Sequence, residues 1–136
     1  MKKLAEFSKQ HQTISYGCVI GFIVFLNCFG FPIYNLNKEW PLMITLIRIY
    51  LVLAGAWFTG GMLVGTFTTK RGFFVICLTV AASCVGLVCR YFLEFGEVSN
   101  TYNFVTVNIL FHLLVFVLAT FFSWRYAWKQ NRTQQE

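Results

Sequence analysis

The stretch Thr13–Phe31, TISYGCVIGFIVFLNCFGF, decides what kind of chain this is. It lies inside a longer interval, between Lys9 and Lys38, that contains no Asp, Glu, Lys or Arg. At 1.5 Å of rise per residue, about 20 apolar residues in a helix cross the hydrocarbon of a bilayer. The interval is long enough, and it is bounded by charge on both sides. A second such interval separates Glu97 from Arg125.

Between these two intervals the pattern repeats. Trp40-Pro41 opens an apolar run that reaches Thr68 with Arg48 as its one charge, and proline is tolerated in a first helical turn. Thr69-Lys70-Arg71-Gly72 forms a tight turn, and Phe73 to Leu93 is apolar except for Arg90. The sequence therefore predicts an all-α, polytopic membrane protein. Its spans are expected at about 13–31, 41–68, 73–93 and 101–124, followed by a polar tail over 125–136. Short links make sequential helices antiparallel neighbours, giving one four-helix transmembrane domain.

Composition agrees. The 136 residues are 57% apolar and 12% charged, against about 25% charged in an ordinary soluble domain. The net charge of +6 suits anionic lipid better than nucleic acid, because no basic face is long enough to follow a phosphate backbone. Nucleic acid is not an expected partner; membrane lipid is.

The basic residues set an orientation. Lys2, Lys3, Lys9, Lys70, Arg71, Arg125, Lys129 and Arg132 fall on one side of the spans. Lys38 alone, with Glu39, Glu94 and Glu97, falls in the opposite links. The positive-inside rule then places both termini in the cytoplasm, in a plasma membrane and most naturally a bacterial inner membrane. Trp124, Tyr126 and Trp128 mark the inner interface, and Tyr34, Trp40, Tyr91 and Tyr102 the outer one. In this orientation the Asn131-Arg132-Thr133 sequon is cytoplasmic and unused. The first span follows Met1-Lys2-Lys3 but lacks a small-x-small cleavage site, so it is read as a retained helix.

Polar residues inside the spans are the candidate site. Asn27, Arg48, Arg90 and Asn108 all fall in the outer half, one from each helix, and His112 lies near the midplane. At 100° per residue Arg90 shares a face with Gly86, Ser83 and Thr79, and Arg48 with Gly55 and Thr59. Charge within a span is costly and is read first as functional. The planar donors of arginine suit phosphate or carboxylate. The expectation is an outward-facing pocket that binds or translocates a lipid-linked, polar or anionic substrate through Arg48, Arg90, Asn27, Asn108 and His112.

Helix packing is assigned to Gly17, Gly21, Gly61, Gly65, Ser83 and Gly86. The Gly17-x3-Gly21 and Gly61-x3-Gly65 pairs predict close backbone approach in the inner half and looser packing outside. A single four-helix unit is small for alternating access, so a homo-oligomer or a larger membrane complex is expected. An alternative is a non-catalytic accessory, immunity or stabilising subunit, docking through Phe111, Phe116, Phe121 and Phe122. An oligomeric anion channel with an Arg48 ring is a lesser one.

Other chemistry is absent from the pattern. No carboxylate lies deep in a span, which leaves no acid/base pair and no proton-coupling carboxylate. His11 is expected too far from His112 to share a haem. Cys18, Cys28, Cys77, Cys84 and Cys89 form no CxxC pair, although Cys28 and Cys89 fall at similar depth, where a disulfide is feasible. No catalytic residue, metal or cofactor is expected.

Overall fold

A computed structural model describes residues 10–31, 42–66, 72–96 and 103–133. It contains four long helices: α1 (Gln12–Gly30), α2 (Leu42–Thr66), α3 (Gly72–Leu93) and α4 (Thr106–Thr133). All four are long and apolar enough to cross a membrane. The chain is all-helical over these elements, as the spacing of its charges requires.

The helix ends have local causes. Phe31 precedes Pro32, whose ring disfavours helical geometry in the residue before it. Phe31 is accordingly extended, at φ −80° and ψ 141°, and its N–H returns to the Asn27 carbonyl. After α3 the chain turns through Gly96, whose φ of +90° favours a residue without a Cβ. The fourth helix differs from expectation at both ends. It begins at Thr106 rather than near 101, and it runs nine residues past Trp124. Arg125 to Thr133 holds no glycine or proline and several good helix formers, so nothing stops the helix where its apolar run ends.

Packing places α4 against α2 and α3, and α1 against α2 and α3. The expectation that all sequential helices are neighbours is corrected at one link: α2 and α3 have no substantial mutual packing among the described residues. The chain from Thr66 to Gly72 spans at most about 20 Å when extended. Helix neighbours lie about 8–10 Å apart, so a link of that length reaches a diagonal position as readily as an adjacent one.

The interior is small and partly polar, while the periphery is large and apolar. Ser15, Asn27, Thr59, Thr79, Ser83, His112, Thr120 and Ser123 are all buried. Met43, Leu51, Phe73, Phe92 and Val107 are more than 60% exposed. Water would not tolerate so continuous an apolar periphery. In lipid the arrangement is natural, because helices gain little by hiding leucine from hydrocarbon and associate through close packing and hydrogen bonds. Phe116 is corrected here from a candidate surface residue to the core, with no exposed area, whereas Phe111 and Phe122 face outward.

Glycines set the helix separations. A methyl group on Gly60 would lie 2.6 Å from the Thr120 carbonyl oxygen of α4. On Gly86 it would lie 2.6 Å from the Val24 carbonyl oxygen and 2.8 Å from Asn27 Cβ, both in α1. Gly55 faces Leu26, and Gly30 faces Val52. These contacts revise the assignment made from the small-x3-small pairs. Gly17 and Gly21 are exposed, and a methyl group on either meets nothing within 4 Å. Gly61 is partly buried, and the surroundings of Gly65 lie outside the described residues. Gly30 and Gly86 also bring the helices together in the half that carries the arginines, so close packing is not confined to the other end.

Candidate functional site

The polar residues singled out within the spans separate into two layers. The first is charged. Arg90 forms an ion pair with Glu94 one helical turn further along α3, a spacing that puts both side chains on one face. Arg48, on α2, is half-buried and lies within electrostatic reach of both Arg90 and Glu94. Two guanidinium groups from two helices and one carboxylate are thus gathered at one place, with the carboxylate paired to Arg90. Arg90 Nε and the second Glu94 carboxylate oxygen are buried and have no hydrogen-bond partner among the described residues.

Cys28, near the end of α1, lies within electrostatic reach of Cys89, Arg90 and Glu94. It is buried while Cys89 is exposed, and both thiols are free. The charged layer is therefore assembled where α1, α2 and α3 converge.

The second layer is neutral and deeper. Asn27 and His112 have no exposed surface. His112 Nε2 and Asn27 Oδ1 are 2.9 Å apart, joining α1 to α4. The Asn27 amide donates through Nδ2 to the Ile23 carbonyl at 2.8 Å. Two aromatic rings adjoin this pair. Phe31 meets the imidazole edge to face at a centroid distance of 5.2 Å, and Phe116 is nearly parallel to it at 6.4 Å. Phe31 continues to Phe104, 4.8 Å away, and Phe104 meets Tyr91 at 5.2 Å. This aromatic chain adjoins the neutral pair on the Phe31 side.

Asn108 belongs to neither layer. Its Nδ2 donates to the Asn103 carbonyl at 3.3 Å and braces the start of α4. Of the five residues expected to line one pocket, the structure joins Asn27 to His112, brings Arg48 near Arg90, and leaves Asn108 with its own helix. Ser83 is fully buried on the α3 face that includes Gly86. Further buried hydroxyls are used locally: Thr59 donates to the Gly55 carbonyl and Thr79 to the Val75 carbonyl, each at 2.7 Å. Ser123 donates across to the Trp57 carbonyl.

Phe31 was not among the expected site residues. Its position four residues after Asn27 is the signal that places both on one side of α1. The basic markers Lys2, Lys3, Lys9, Lys70 and Arg71, with Tyr34, Trp40 and Tyr102, lie outside the described residues. No group of His, Cys, Asp and Glu able to hold a metal occurs among the described residues.

Comparison with protein-family models, characterised proteins and solved structures finds no match. The functional reading rests on the two layers themselves.

Proposed function

We propose that this is a membrane protein that binds an anionic headgroup, a phosphate or carboxylate carried on a lipid-linked molecule, at Arg48 and Arg90. The observation that carries this reading is the gathering of two guanidinium groups from different helices at the edge of the spans, with Arg90 paired to Glu94 and Arg48 within electrostatic reach of both. A guanidinium offers paired donors to a phosphate or carboxylate. A single phosphate or carboxylate has oxygens enough to accept from both guanidinium groups. Asn27 and His112 bond to each other beneath Phe31 and serve to join helices rather than to contact the headgroup.

The reading includes an orientation. Leu26 against Gly55 and Gly30 against Val52 support opposite senses for α1 and α2, as expected of an antiparallel bundle. With the basic links cytoplasmic, the Arg48–Arg90 end faces outward and both termini face the cytoplasm. Translocation would require an assembly larger than one four-helix unit.

The test is lipid binding by the purified protein in detergent, with bound anionic lipid counted by native mass spectrometry. Arg48→Ala is expected to lose most of that binding while the helical content and melting profile are retained. Retained binding in the folded variant would reject the reading.

A second reading, a non-catalytic subunit of a larger membrane assembly, is favoured by one observation. The Gly17–Gly21 face of α1 is open to close approach by another helix. Extraction in mild detergent should then yield a discrete larger species that Gly21→Leu dissociates. A homogeneous monomer under several such conditions would count against it.

A further inference from the structure

The Asn27–His112 contact fixes more than a helix pair. Because Asn27 Nδ2 donates to the Ile23 carbonyl, the amide oxygen must be the atom turned toward the imidazole. That oxygen can only accept, so His112 Nε2 carries the hydrogen and donates. In the neutral ring, Nδ1 is then an acceptor with a bare lone pair. A doubly protonated ring would instead hold an unpaired charge beside Phe31 and Phe116 with no exposed surface, which is far less favourable.

Among the described residues His112 Nδ1 is buried without a hydrogen-bond partner, and so is Ser83 Oγ. Both residues have zero exposure. Ser83 lies three residues before Gly86 on the buried face of α3, and Gly86 abuts Asn27 Cβ. Since Asn27 also bonds to His112, the acceptor on α4 touches the Asn27 contact and the hydroxyl on α3 lies about one helical turn from it. Native interiors satisfy such groups with protein partners or with internal water. Thr120 Oγ1 is also unpartnered, but it lies two turns further along α4, near Gly60, and is not part of this layer.

We propose that His112 Nδ1 and Ser83 Oγ form a buried binding site for water, in which the water donates to Nδ1 and engages the serine hydroxyl. The site takes a small neutral hydrogen-bond donor. Its burial beside Phe31 and Phe116 disfavours an ion. It is independent of the headgroup reading, because it involves neither arginine.

The experiment is nitrogen-15 NMR of histidine-labelled full-length protein in bilayers, carrying His11→Gln so that His112 is the sole histidine. The expected result is a neutral ring protonated at Nε2, an unprotonated but hydrogen-bonded Nδ1, and magnetisation transfer from water to Nδ1. Ser83→Ala should remove that transfer and leave the tautomer unchanged. A ring protonated at Nδ1, a doubly protonated ring, or no transfer from water in the folded protein would overturn the proposal. So would transfer that is unchanged in Ser83→Ala. The measurement with Ser83 in place decides the first three outcomes whether or not the variant folds.

Discussion

The charged layer around Arg48 and the neutral layer around Asn27 answer the same physical problem in different ways. Both put polar groups where hydrocarbon disfavours them. Asn27 and His112 bond to each other across α1 and α4 with no surface exposed. Arg48 and Arg90 remain partly exposed, and Glu94 is paired with Arg90. A polar pair enclosed in the interior holds helices together; in the function proposed, two partly exposed arginines at the membrane edge receive an anion. Depth alone does not distinguish the two roles, whereas the balance of donors, acceptors and charge does.

The largest effect on folding is expected where the neutral layer meets the α3 backbone. Gly86→Val would drive a branched side chain into the Val24 carbonyl and Asn27. Overpacking of this kind costs about 1–3 kcal/mol, occasionally more. Unfolding followed in detergent should show Gly86→Val among the least stable of single variants. A variant as stable as the parent would mean that α1 and α3 do not touch there.

Removing one half of the buried pair comes next. Asn27→Ala strands the His112 N–H in the interior and should destabilise by about 1–3 kcal/mol. Asn27→Leu combined with His112→Leu removes both polar groups and should cost less than the two single changes added together. A double-mutant cycle would read the interhelical hydrogen bond as a coupling of about 0.6–2 kcal/mol. Strict additivity would show that the two side chains are not partners. Anionic-lipid binding should survive Asn27→Ala, which separates the neutral layer from the charged one.

Glu94→Gln tests the other layer with a smaller perturbation. It removes one negative charge beside the two arginines, so anionic lipid should bind more tightly, with a steeper dependence on salt. Weaker binding would mean that Glu94 is needed to orient Arg90 rather than to offset it. The smallest effect is expected at Gly17→Ala, which meets nothing inside the chain. It should change stability by no more than about 0.5 kcal/mol. A larger change, dependent on protein concentration, would place that face in a contact between copies.

Much of this architecture is legible in the sequence because charge is so unevenly spread. Four helices follow from where Asp, Glu, Lys and Arg are missing. The face carrying Thr79, Ser83, Gly86 and Arg90 follows from helical phase, and the first three are buried. The glycine contacts were less legible. A small-x3-small spacing says that another backbone can approach, but not on which side it lies, so Gly17 and Gly21 read like packing residues while facing away from the other helices. Gly60 and Gly86 carry close contacts set by the rotation of whole helices. The split of the polar residues was hidden for a similar reason. Asn27 and His112 are 85 positions apart in sequence, and only the diagonal meeting of α1 and α4 makes them partners. The extension of α4 to Thr133 is not legible from hydropathy, because an end of apolarity is not an end of helix.

The most direct test of the charged layer is a structure of the protein in a lipid nanodisc containing anionic phospholipid. The expected result is headgroup density bridging the Arg48 and Arg90 guanidinium groups, with Asn27 and His112 bonded to each other beneath Phe31. Arg48 turned away from Arg90, with no headgroup between them, would contradict the account.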